Sequence, residues 1–104
     1  MKSISQDQIY KALGFVEDPE LEIDVLNLGL IYEVKIEGAT VIVRMTLTTL
    51  GCPASELLEL MTKKAVGSVE GVEEVKVEWT FDPPWTPERI TEEGRDMLLS
   101  RGFI

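Results

Sequence analysis

The stretch Met45-Thr46-Leu47-Thr48-Thr49-Leu50-Gly51-Cys52-Pro53 constrains the chain most, because it joins an alternating strand pattern to an amphipathic helix pattern and sets the only cysteine at the join. Pro53 suits the first turn of a helix, where its missing N–H is not needed. Cys52 therefore falls at or beside the N-cap, where free backbone N–H groups and the helix dipole favour an anion and ease ionisation of a thiol. Gly51 has no side chain, so the backbone can turn sharply and the sulfur can be approached from outside. A free cysteine is also commonly a small core hydrophobe. The flanking glycine and proline are what set a functional Cys52 beside that plainer reading.

With 104 residues the chain reads as one domain, 1–104, long enough to bury roughly two thirds of its unfolded surface in a single core. A single cysteine excludes an internal disulfide, and the sequence shows no signal-peptide pattern, so a cytoplasmic protein is expected. The longest nearly apolar run, Val25 to Tyr32, is interrupted by Asn27 and Gly29 and is too short to span a bilayer. A net charge of −9 from acids spread along the whole chain, with no Lys/Arg cluster, argues against nucleic acid as a partner. The absence of histidine is more restrictive still, since it removes the usual base for a nucleophile and the commonest nitrogen ligand for a metal. Chemistry must come from one thiol, carboxylates, hydroxyls and backbone.

Ser5-Gln6-Asp7-Gln8 is a capping box, and Ile9, Ala12, Leu13 and Val16 then recur at helical spacing as far as Gly14 or Glu17. Pro19 forces Asp18 out of helical geometry, which leaves Asp18 and Glu20 in an extended or turned loop. Leu26, Leu28 and Leu30 show no clean period and read as irregular chain packed on the core, with Gly29 a turn. From Ile31 to Glu37 the chain alternates, and Glu37-Gly38-Ala39 connects it tightly to Thr40–Leu47, whose Val41, Val43, Met45 and Leu47 share one face. Alternation carried to the end of that strand puts Thr46 and Thr48 on the opposite face, with their hydroxyls away from the core. After Pro53 a long helix is expected to bury Leu57, Leu58, Met61, Ala65 and Val69, and a third strand carries Val72, Val75, Val77, Trp79 and Phe81. A crossover of this length implies parallel pairing of the second and third strands. The prolines of Asp82-Pro83-Pro84-Trp85-Thr86-Pro87 make a stiff loop whose Trp85 either caps the core, the favoured reading, or forms an exposed recognition surface, and a last helix runs to about Arg101 with Ile90, Met97 and Leu98 inward. The expected fold class is α/β (α+β): a small single-layer mixed three-stranded sheet packed with helices, in the order α-β-β-α-β-α.

Three stretches taken together carry a resemblance. They are Asp18-Pro19-Glu20-Leu21 running into Leu28-Gly29-Leu30-Ile31-Tyr32, then Met45-Thr46-Leu47-Thr48 with Gly51-Cys52-Pro53, then Asp82-Pro83-Pro84-Trp85. In this order and spacing they resemble the SufT/PaaD-like family, also called domain of unknown function fifty-nine or metal-sulfur cluster biosynthetic enzyme, from about Ile9 to Arg95. The resemblance implies a factor that helps mature iron-sulfur proteins, acting with scaffold and client proteins. It carries Cys52 over as the essential thiol and Asp18, Glu20 and Thr48 as the polar residues gathered beside it, with Thr49 adjacent. Forms tied to phenylacetate degradation have additional metal-binding cysteines near the C-terminus, which this chain lacks, so that specialised role is set aside.

The residues limit this expectation. Clusters normally take four thiolates, and one chain supplies one. A labile iron-sulfur cluster or iron could be held by Cys52 only transiently, between the two chains of a homodimer. Three readings follow: an assembly factor using Cys52 as transient ligand or sulfur relay; a thiol-dependent enzyme with Cys52 as nucleophile and Asp18 or Glu20 as base; and a pure interaction module built on Trp85 and the acidic surface. Carboxylates activate a thiol poorly compared with histidine, so the assembly factor is favoured over a classical enzyme.

Overall fold

A computed structural model describes residues 4–18, 22–47, 55–100 and 102. Helix α1 is Gln6–Leu13, and its capping box is formed as expected. The Ser5 hydroxyl accepts from the Gln8 N–H, while the Gln8 side chain accepts from the Ser5 N–H. Ile9 and Leu13, a turn apart, are buried, and Val16 is buried just beyond the helix end.

Strands β1, Ile31–Glu37, and β2, Thr40–Met45, form the hairpin, with Glu37 paired to Thr40 and Gly38 at a φ of +62° in the turn. Helix α2, Ser55–Gly67, then crosses over to β3, Glu74–Trp79, which pairs in parallel with β2. The order β1-β2-β3 makes a mixed sheet with β2 in the centre. One face packs on the helices through Val34, Val41, Val43, Val75 and Val77. The other is open to solvent and is crossed by a charge ladder, with Arg44 on the central strand placed between Glu33 and Glu78. These pairs are half-exposed and add little to stability. The last elements are a short 3₁₀ turn at Pro87–Arg89 and helix α3, Glu92–Ser100. The α+β class, the helix and strand order and the mixed sheet thus stand as read from the sequence.

Four details differ. The expected last helix splits in two, because Ile90 is extended between the 3₁₀ turn and α3. Phe81 lies beyond the end of β3 and is exposed. In α2 the residues buried against the sheet are Leu58, Thr62 and Val66, while Leu57 is exposed and Met61, Ala65 and Val69 are half-buried. The most deeply buried line is thus offset from the centre of the expected stripe, and it includes Thr62, whose hydroxyl lies 3.7 Å from the Met45 sulfur. Finally, β2 stops at Met45, and Thr46 is fully buried instead of turned away from the core.

Across the crossover, the Trp79 indole N–H donates to Glu59 at 2.8 Å and Lys63 lies 3.3 Å from the same carboxylate. The indole bond, with the lysine behind it, holds the Glu59 carboxyl below the ordinary glutamate range. Trp79→Phe should raise it back towards that range, read by NMR titration. A depressed carboxyl stabilises above its unfolded pKa, so the variant should also lose part of the decline in stability seen as pH falls through the acid range.

Two glycines seat the C-terminal segment. A Cβ on Gly29, which has a φ of +73°, would lie 2.3 Å from the Arg89 carbonyl oxygen, and one on Gly94 would lie 2.8 Å from that of Asn27. Gly29→Ala should therefore lower stability by about 2–4 kcal/mol. Gly38→Ala, with nothing within 4 Å of its Cβ, should cost only the backbone term of about 1–2 kcal/mol. Thermal melting of the two variants checks the difference.

Candidate functional site

Asp18 sits where the chain doubles back on itself after α1. Its N–H donates to the Ile23 carbonyl at 2.9 Å and its carbonyl accepts from Glu22 at 2.8 Å, with Glu17 and Asp24 bridged behind them. Glu22 takes a φ of +59°, an uncommon conformation for a residue with a side chain. Val16, Ile23 and Val25 anchor this turn in the core, and Asp18 itself is only 5% exposed. A loop acid held down in this way differs from the solvated acids around it, a distinction that sequence alone does not make.

The turn is tied to the end of the central strand by consecutive backbone bonds. Val25 N–H donates to Val16 at 2.9 Å, Leu30 N–H to Val25 at 3.0 Å, and Thr46 N–H to Leu30 at 2.8 Å. This chain of bonds brings the Asp18 segment and the exit of β2 into one frame. Of the residues singled out from the sequence, Asp18 is placed by it. Glu20, Thr48, Thr49 and Cys52 lie outside the described residues. Among the described residues no cluster of three or more His, Cys, Asp or Glu is arranged to hold a metal ion, and no helix is long and apolar enough to cross a membrane.

The third motif acts as a latch on this frame. Trp85 donates its indole N–H to the Leu28 carbonyl at 2.7 Å and packs against the core, as expected of a capping aromatic. Arg89 donates to the Gly29 carbonyl at 2.9 Å and lies over the Tyr32 ring at 4.1 Å. The Tyr32 hydroxyl in turn donates to the Pro83 carbonyl at 2.6 Å. Asp24 caps Asn27 through both its N–H and its side-chain amide, and Thr91 N–H donates to the Asn27 carbonyl at 2.9 Å. The Thr91 hydroxyl bonds the Asn27 side chain and also caps α3 by accepting from Gly94 N–H.

The residue that sequence reasoning missed is Thr46. Its hydroxyl is buried with no hydrogen-bond partner among the described residues. Continued alternation hides the signal, because the strand pairing ends one residue earlier.

The family model for iron-sulfur cluster assembly proteins matches residues 6–79, and the chain belongs to this family. An Fe-S protein maturation auxiliary factor of Porphyromonas gingivalis is 39% identical over 102 residues, covering 96% of this chain and 93% of the relative. The Fe-S protein maturation auxiliary factor YitW of Bacillus subtilis is 36% identical over 92 residues, covering 88% and 90%. A crystal structure of domain of unknown function fifty-nine from Bacillus anthracis superposes with a TM-score of 0.85 at 35% identity, covering 89% of this chain and 90% of the other.

Thr46→Val removes the unpartnered hydroxyl while keeping its shape. It should leave stability unchanged or raise it by up to about 1 kcal/mol. A fall of more than that in chemical denaturation would mean that the hydroxyl is satisfied in solution.

Proposed function

We propose that this protein is an iron-sulfur cluster maturation factor that works in the cytoplasm with scaffold and client proteins through Cys52, with Asp18, Glu20 and Thr48 as its polar neighbours. The observation that carries the proposal is the family match, whose span of residues 6–79 contains all four positions. The names of the relatives from Porphyromonas gingivalis and Bacillus subtilis point the same way. The buried Asp18 and the bond chain from Val16 to Thr46 support a fixed frame beside the join that carries the thiol.

The chemistry asked of Cys52 is ligand exchange. Its thiol gives up a proton to solvent or to a neighbouring carboxylate, and the thiolate takes a place on a cluster iron as a scaffold thiolate leaves. A client cysteine then displaces it in the same manner, with no change of oxidation state. One thiol per chain against the four ligands a cluster normally takes means that the cargo is shared, either between two chains of a homodimer or with the donor and acceptor proteins. A site so incompletely furnished holds its cargo weakly, which suits hand-over.

In a cell lacking the wild type, Cys52→Ser should abolish the activity of client iron-sulfur enzymes while the purified variant melts as the wild type does. Normal client activity with the variant would refute the thiol role. Anaerobic incubation with iron and sulfide should give a visible chromophore and a dimer for the wild type and neither for Cys52→Ser.

A further inference from the structure

Helix α2 carries more apolar surface than the core uses. Leu58, Thr62 and Val66 face the sheet, while Met61 and Ala65, with Val69 just beyond the helix end, pack on the edge of the core and stay half-buried on the side towards α1. There Met61, Ala65 and Val69 meet Ala12, Phe15 and Val16 along two adjoining open grooves, one of about 490 Å³ that includes Phe15, Ala65 and Val69 and one of about 350 Å³ that includes Phe15, Met61 and Ala65. Phe15 borders both and is 79% exposed. An aromatic side chain left so bare beside half-buried apolar neighbours marks an interaction surface.

The rim of this surface carries a sign. Lys11 stands at one groove and Lys64 at the other, and neither is ion-paired among the described residues, whereas the adjacent Lys63 is held by Glu59. In a chain of net charge −9 these two cations, unpaired among the described residues, are set on either side of an apolar floor. A second copy of this chain fits poorly at this groove, because isologous pairing there would set lysine rim against lysine rim.

We infer that the α1–α2 groove, with Phe15 at its centre and Lys11 and Lys64 at its rim, docks an acidic amphipathic segment of a partner protein, its apolar side chains on Phe15, Met61 and Ala65 and its carboxylates on the lysines. For the partner's identity, a scaffold or client of cluster assembly, the inference rests on the reading given under Proposed function. The docking itself does not involve Cys52.

The test uses the full chain and fluorescein-labelled peptides of about four helical turns. One carries leucines at positions i, i+3, i+4 and i+7 with glutamates flanking them, a twin has lysine for every glutamate, and a third has alanine for every leucine. Fluorescence anisotropy should show the acidic amphipathic peptide bound, the other two bound at least about tenfold more weakly, and the affinity falling as ionic strength rises from about 0.05 M to about 0.5 M. Phe15→Ser and the double variant Lys11→Glu/Lys64→Glu should each weaken the acidic peptide by about tenfold or more, with unchanged circular dichroism because all three side chains lie at the surface. Equal binding of the lysine twin, undiminished binding to Phe15→Ser, or no binding at all would overturn the inference. So would a dimer in sedimentation that Phe15→Ser converts to monomer, since a second copy would then be the occupant. Cys52→Ser should bind the peptide as the wild type does, so intact binding without client maturation separates docking from the thiol chemistry.

Discussion

The end of the central strand is gripped from both sides, and the remaining structure is arranged around that grip. Thr46 N–H donates to the Leu30 carbonyl on one side and Thr80 N–H donates to the Met45 carbonyl on the other. Both bonds are made at or beyond the last paired residue of β2, so the strand's exit is fixed although its ladder has ended. A central strand buried on one face cannot slip register without turning Val41, Val43 and Met45 outward. The join that follows starts from a point set by the whole sheet. That rigidity is what a loop-borne site needs, since loops position chemistry only as well as the scaffold under them does.

The partner in the first bond, Leu30, belongs to a segment with no regular structure of its own. It is held by contacts that come from far along the chain. Trp85 caps Leu28, Arg89 caps Gly29 and Thr91 caps Asn27, so backbone groups that an irregular stretch would leave bare are satisfied by the C-terminal segment. Gly29 and Gly94 permit the close approach that these bonds require. The three motifs are therefore mechanically linked: the proline-rich loop latches the middle of the first motif, and the first motif braces the exit of β2.

Strong periodicity made much of this legible in the sequence. The capping box at Ser5, the Gly38 turn, the inward line of Val41, Val43 and Met45, and the parallel crossover are all local patterns that the structure keeps. The misreadings fall where tertiary context overrides local pattern. Thr46 follows the alternation in sequence but lies past the last strand pair, so Leu30 and the core claim it. Leu57 looks like core by spacing, yet the residues of α2 buried against the sheet are Leu58, Thr62 and Val66, with the Thr62 hydroxyl opposite the Met45 sulfur. Asp18 could not be told from its acidic neighbours, since its burial follows from the Asp18–Ile23 and Val25–Val16 bonds and not from any residue beside it. Cys52, Glu20 and Thr48 stand on sequence and family likeness alone.

The division of α2 into a face for the sheet and a face for the groove has a consequence for how the proposed role could work. A factor that passes its cargo on must hold it less tightly than the recipient does, so the strength of the encounter cannot come from the metal–thiolate bond. It has to come from elsewhere on the surface, and an apolar floor with a cationic rim supplies contact area and long-range attraction without touching the cargo. The proposed docking groove runs along α2, whose first residue, Ser55, follows Cys52 closely in sequence. On the proposed reading, binding and transfer can be tuned separately: rim and floor would set how long the partners stay together, and the thiol how readily the cargo leaves.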